Sequence, residues 1–146
     1  MTRESSPLDL SSLKRALASL ENALEITRSK QFRSLDDRWR NTLIAGVVQN
    51  FEFTFELSWK MLKRQLEREL PSPTELDTMS YREMIRVGHE RGLIDDPEAW
   101  FDYRLLRNIT SHAYDESKAR QVYDGVPAFV DSARHLLAAL ERRNAG

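Results

Sequence analysis

Leu10, Leu13, Leu17, Leu20 and Leu24 recur at intervals of three and four residues, with Ala16 and Ala23 beside them. That spacing predicts an amphipathic helix over residues 10–30. Asp9, Ser11 and Ser12 compete to cap it, and residues 1–8 read as a loose arm. Residues 31–37 lose the period and read as a connection. The next segment, 38–69, contains the alternating run Phe51-Glu52-Phe53-Thr54-Phe55-Glu56-Leu57, a pattern that on its own belongs to a half-buried strand. The wider window decides for helix, because Ile44, Val48, Phe51, Phe55, Trp59, Leu62 and Leu66 repeat at four and three. Phe53 and Leu57 form a second apolar strip, so this helix is expected to be covered on most sides and central. Glu52, Glu56 and Lys60 line a further face, with Glu56 and Lys60 in the favourable i, i+4 order. Gly46 is read as a point of close approach.

Pro71 and Pro73 end that helix. Thr78 or Ser80 caps a third over 79–91, with Gly92 as its C-cap residue. Leu93 and Ile94 pack, Asp95 and Asp96 cap, and Pro97 opens a fourth helix over 97–112. Its inward residues are Trp100, Phe101, Tyr103, Leu105 and Leu106. A last segment, 116–142, carries an apolar stripe from Val122 to Leu140, interrupted by Gly125 and Pro127, so a kink or two pieces is expected. The pattern predicts an all-α protein, a bundle of four main helices with a shorter fifth, in one domain spanning 1–146.

Composition agrees. Hydrophobic residues make up 40% and charged residues 31% of 146, enough for one buried core in a soluble chain. With no cysteine, disulfide and thiolate chemistry are excluded and a reducing cytoplasm is the expected location. No segment has the length or apolarity of a membrane span or a signal peptide. The net charge is −1, so a nucleic-acid contact would need a local basic cluster or a surface made by two subunits.

The chemistry concentrates in Arg107-Asn108-Ile109-Thr110-Ser111-His112-Ala113-Tyr114-Asp115. An arginine offers a planar fork of donors to phosphate. A histidine exchanges protons near neutral pH. A tyrosine offers a ring to stack on and a hydroxyl open to modification. Arg107 and Tyr114 share a face if the helix continues. His112 lies about 140° round an ideal helix from Arg107, and unwinding near Thr110–His112 would bring the two to one pocket. The plainer alternative is that Arg107 and His112 only complement the negative end of a helix and that Asn108 or Asp115 caps. His89 and His135 read as solvated, Trp39, Trp59 and Trp100 as anchors of core or interface, and Glu52 and Glu56 as wet surface. No Glu has a His three residues later, so no di-metal bundle site is expected, and no metal or cofactor.

Three stretches carry a resemblance: 49–60 (QNFEFTFELSWK), Leu93-Ile94-Asp95-Asp96 followed by Trp100, and Arg107 through Glu116. Together, and in this order, they resemble the nucleotidyltransferase substrate-binding protein family of the HEPT-domain superfamily, over residues 10–142. The resemblance implies an up-and-down four-helix bundle that dimerises, and a partner that is a minimal nucleotidyltransferase, the pair forming a two-component or toxin–antitoxin module. It implies that Arg-x4-His-x-Tyr is a ribonuclease motif, mapping onto Arg107, His112 and Tyr114. Asn108 follows the arginine as a polar substrate contact, and Tyr114 is the candidate for adenylylation by the partner. A non-catalytic role as a nucleotide-binding subunit of the transferase is the alternative. Glu52, Glu56 and Lys60 are assigned neither to a pocket nor to a partner surface.

Overall fold

In the computed structural model, which describes residues 6–145, the leucine stripe forms helix α1 (Ser11–Thr27), with Leu13, Leu17, Leu20 and Leu24 buried. No side chain caps its first turn; Asp9 accepts from the Ser11 N–H and hydroxyl just outside it. Residues 1–5 of the expected arm lie outside the described residues, while the Leu8 N–H donates to Asn144 Oδ1 at 2.8 Å. The helix stops short of the predicted end. Ser29 leaves helical geometry and its hydroxyl accepts from the Phe32 N–H, which starts a separate turn, α2 (Lys30–Arg33), inside the expected connection.

Helix α3 (Asp37–Glu69) is capped by Asp36, whose carboxylate accepts from the Trp39 N–H. The alternating run is helical. Phe51 and Phe55 are buried, and the two hydroxyls on the buried side, Thr54 and Ser58, bond to carbonyls one turn back (2.7 and 2.8 Å), so they cost little to bury. The second apolar strip is only partly covered, since Phe53 stays 60% exposed. Packed against α1 and against three helices that follow it, α3 is the central helix.

The chain then makes a 3₁₀ turn (Pro73–Thr78), too short for periodicity to announce, and enters α4 (Tyr81–Glu90) through a reciprocal capping box between Ser80 and Glu83. Gly92, at φ +82°, closes α4: its N–H donates to the His89 carbonyl and the Leu93 N–H to that of Gly88, sending Leu93 and Ile94 into the core. Helix α5 (Pro97–Ile109) is capped by Asp96, and α6 (Glu116–Arg143) by Asp115.

The expected division of the last helix does not occur. Helix α6 runs through Pro127 as one element, with Val126, Phe129 and Val130 buried around it. The proline removes one backbone donor, and burial on both sides of it outweighs that loss. Close approach falls at Gly125 rather than at Gly46: a methyl at 125 would meet Leu106 of α5 at 2.3 Å, whereas one at Gly46 would meet nothing within 4 Å.

Phe129 stands edge-on to Phe51 (5.0 Å between centroids), Tyr103 (5.3 Å) and Trp100 (5.9 Å). This aromatic cluster ties α3, α5 and α6. The Tyr103 hydroxyl fixes the α5–α6 register by bonding to the Ala128 carbonyl and the Ser132 hydroxyl. The chain is thus an all-α bundle, with Arg107 and Asn108 at the end of α5 that faces α3.

Candidate functional site

Arg107 sits in the last turn of α5 and reaches across to α3. Its Nε donates to Glu56 Oε2 at 3.1 Å, and a terminal nitrogen lies 3.4 Å from Glu52 Oε2. Glu52 and Glu56 are one helical turn apart, so both carboxylates present to the same neighbour. They are not the wet surface expected of them; each is half-buried and holds the guanidinium. Glu56 turns to Arg107 rather than to Lys60, which is exposed. A guanidinium has five N–H donors, and these contacts leave several unused.

Beside Arg107 lies a cavity of about 460 Å³, walled by α3, α4, α5 and the Pro73–Thr78 turn. Arg107, Asn108 and Arg104 line one side, and Trp59 and Tyr81 supply rings. The Arg104 guanidinium stacks 4.7 Å over the Tyr81 ring. The Tyr81 hydroxyl donates to the Trp100 carbonyl at 3.0 Å. Burial pushes its phenol well above the ordinary range, so it remains a neutral donor. The two carboxylates on the wall are already engaged, Glu56 by Arg107 and Asp77 by Lys63 at 3.6 Å. The volume and the mixture of rings and cations suit a mononucleotide.

His112 and Tyr114 lie elsewhere. After Ile109 the chain tightens into a 3₁₀ turn, Thr110–His112. The Thr110 hydroxyl donates to the Arg107 carbonyl (2.6 Å) and the Ser111 hydroxyl to that of Asn108 (3.1 Å). These bonds add side-chain donors to carbonyls in the last turn of α5, that of Arg107 also accepting from the Thr110 N–H, and they compete with further α-helix. His112 and Tyr114 emerge exposed from the turn, their rings 6.1 Å apart at 67°, and Tyr114 is 85% exposed. Neither lines the cavity. One chain therefore brings together Arg107 with Asn108, and His112 with Tyr114, as two neighbouring pairs. Asp115 is architectural. The Ser117 hydroxyl and the Ser117 and Lys118 N–H groups hold its carboxyl below the ordinary range as it caps α6.

Glu52 and Glu56 had a readable signal, paired carboxylates one turn apart inside the most aromatic stretch of the chain. Tyr81 and Arg104 had none, since only the packing of α4 on α5 makes them neighbours. Of the tryptophans, Trp100 is core, Trp59 borders the cavity and Trp39 is 56% exposed. His89 is exposed, its Nδ1 2.8 Å from the Ile94 carbonyl, and His135 is exposed. Among the described residues no three His, Asp or Glu side chains converge as metal ligands. Nor is any helix long and apolar enough to cross a membrane.

Comparison with known proteins gives the family and the fold. A family described as nucleotidyltransferase substrate binding protein like matches residues 8–142. A Haemophilus influenzae protein named probable ribonuclease HepT is 38% identical over 138 residues, covering 94% of each chain. A solved Haemophilus influenzae structure, described as revealing the fold of a substrate binding domain of a nucleotidyltransferase, superposes with a TM-score of 0.87. It is 37% identical and covers 91% of this chain and 99% of its own. A Thermus thermophilus structure shares the fold, with a TM-score of 0.68 at 23% identity, covering 88% of this chain and 98% of its own.

Proposed function

The chain belongs to the nucleotidyltransferase substrate-binding-like family, and from that premise we propose that it is the helical component of a two-gene nucleotidyltransferase module and an endoribonuclease in its own right. Its neutralisation by the transferase, in the manner of a toxin–antitoxin pair, is part of this reading. The observation that carries it is Arg107, a guanidinium oriented by Glu52 and Glu56 with donors to spare, five residues before an exposed imidazole at the same helix end. The name of the Haemophilus influenzae relative, probable ribonuclease HepT, supports the same chemistry.

In this reaction His112 takes the proton of an RNA 2′-hydroxyl. The 2′-oxygen forms a bond to phosphorus and the bond from phosphorus to the 5′-oxygen breaks, leaving a cyclic phosphate and a 5′-hydroxyl. Arg107 faces the charge that builds on the phosphorane oxygens, and Asn108 orients the phosphate. The 5′-oxygen needs a proton as it leaves, and one imidazole cannot be base and acid together. The same motif of a second copy supplies the acid, which assigns this protein a homodimeric active form. Exposure of Tyr114 makes its hydroxyl accessible for adenylylation by the transferase.

A second reading has its own observation. The mononucleotide-sized cavity takes in Arg107 and Asn108 but not His112, as a non-catalytic nucleotide-binding subunit would require. The deciding experiment is RNA cleavage by the purified protein in excess chelator, after intact mass has shown Tyr114 unmodified. His112→Ala is expected to lower the rate by roughly 10²–10⁴-fold with RNA binding retained. Absence of cleavage by the unmodified wild type would leave the binding subunit as the function.

A further inference from the structure

Arg107 alone is a poor anion site. With Glu52 and Glu56 both against it, the three side chains sum to one net negative charge, and an arriving phosphate meets two carboxylates beside its one guanidinium. If RNA binds here, cations outside this cluster must draw it in. The α4–α5 face carries them. Arg82 and Arg86, one turn apart on α4, sit 4.2 and 5.3 Å over the ring of Phe101, and Arg104 covers Tyr81. None of these three has a carboxylate partner within ion-pair distance among the described residues, whereas Arg91, Arg134 and Arg143 do. Stacking on rings restrains a guanidinium while leaving its N–H edge free for an anion.

The space in front of them adjoins the first cavity. A second hollow of about 340 Å³ is lined by Arg82, Phe101, Leu105 and Arg104, and it shares Ser80, Tyr81, Arg104 and Asn108 with the first. Its wall contains no carboxylate, and Leu105, 61% exposed, gives it an apolar patch against which a base can lie. Arg107 lines the first hollow, Asn108 and Arg104 line both, and Arg82 lines the second, with Arg86 beside it over the Phe101 ring.

We propose that Arg82, Arg86 and Arg104 form a phosphodiester track on the α4–α5 face that holds single-stranded RNA beside the phosphate presented to Arg107. The proposal rests on the ribonuclease reading above and adds where the rest of the strand lies. Its affinity is electrostatic and independent of base identity. The track also resolves how a chain of net charge −1 engages a polyanion, by leaving three arginines on one face unpaired.

The probe is a short fluorescein-labelled 2′-O-methyl oligoribonucleotide, uncleavable because the attacking hydroxyl is blocked. Its binding to the full chain is followed by anisotropy across a salt series. Arg82→Gln/Arg86→Gln is expected to weaken binding at least tenfold and to flatten the slope of log K against log salt by about 1.4, two single-strand phosphate contacts. Arg82→Lys/Arg86→Lys should regain most of the slope. Arg15→Gln/Lys30→Gln, the same charge change on other elements, should leave both quantities unchanged, and thermal melts confirm that each variant is folded. Wild-type binding matched by the glutamine variant in affinity and slope would overturn the track and leave cleavage standing. A variant that keeps RNA affinity but loses the nucleotidyltransferase would also overturn it, marking the face as a protein contact. A wild type that neither binds the probe nor cuts RNA removes the ribonuclease reading, and the track with it.

Discussion

Two of the arginine–carboxylate clusters in this bundle are built inversely. At the far end of α3, one carboxylate holds two arginines. Glu69 is met by Arg143 of α6 and, at 3.7 Å, by Arg91 after α4, while Gln65 donates to it at 2.7 Å. Asn144 donates to Gln65 and accepts from the Leu8 N–H, so the segments before α1 and after α6 are tied into the same knot. Both Glu69 oxygens are occupied, and Glu69 lines neither of the two hollows by α4 and α5. In mid-helix, one arginine is held by two carboxylates, its donor capacity is not exhausted, and a cavity lies beside it. A saturated cluster is a clamp. An oriented but unsaturated one can still bind something.

The strongest way to break this distinction is Arg107→Ala. It should cost roughly 10²–10³-fold in RNA cleavage, the usual loss when a donor to developing negative charge is removed. The melting temperature should move little, because Glu52 and Glu56 are solvated enough to stand alone. Arg107→Lys should rescue poorly, since a point ammonium cannot span two carboxylates as the planar fork does. A large fall in melting temperature with unchanged activity per folded molecule would make Arg107 a clamp like Glu69.

Glu69→Ala should do the opposite, destabilising the fold by about 2 kcal/mol through loss of several charge-assisted bonds, with cleavage by the folded fraction unchanged. The melting temperature should drop by about 4–8 °C for a chain of this size. The pH dependence sharpens the point. Burial pushes the Glu69 carboxyl upward, but the bonds from Arg143 and Gln65 and the charges of Arg143 and Arg91 outweigh it, so its folded pKa lies below the ordinary 4.5. The folded state then binds the proton less readily than the unfolded state. Its contribution is complete above the ordinary value and is lost as pH falls through the lowered one. Glu69→Gln should therefore flatten the acid limb of the stability profile. Chemical denaturation at a series of pH values measures this.

How much of this was legible beforehand follows from the reach of each signal. Periodicity found α1, α3 and α6 because each buries a long stripe, and it overrode the strand-like run at 51–57. It missed α2 and the Pro73–Thr78 turn, which are too short to repeat a period, and of the kink or division expected at Pro127 the division is absent. The 107–115 stretch was conspicuous from residue types alone; the loosening expected near Thr110–His112 takes the form of a 3₁₀ turn, set by hydroxyls that bond back on their own helix, and it does not bring His112 to the Arg107 cavity. The partners of Arg107 were not legible as partners. They lie 51 and 55 residues away on another helix, and only the α3–α5 packing selects the face that carries them.

The finest test separates the two carboxylates that hold Arg107. Glu52 is the weaker and more exposed contact, at 3.4 Å with its side chain 40% exposed. Glu52→Gln should leave stability within about 0.5 kcal/mol, as for most surface ion pairs. Its effect belongs in the kinetics. Removing one negative charge takes the Arg107 cluster from net −1 to neutral, so RNA should bind more tightly and KM should fall. Loss of one of the two carboxylates that aim the guanidinium should lower kcat severalfold. Movement of KM and kcat downward together would identify Glu52 as a positioning residue acting through Arg107. A fall in kcat with a rise in KM would mean instead that Glu52 contacts the substrate itself, and the two-carboxylate cradle would no longer be the feature that distinguishes this cluster from the clamp at Glu69.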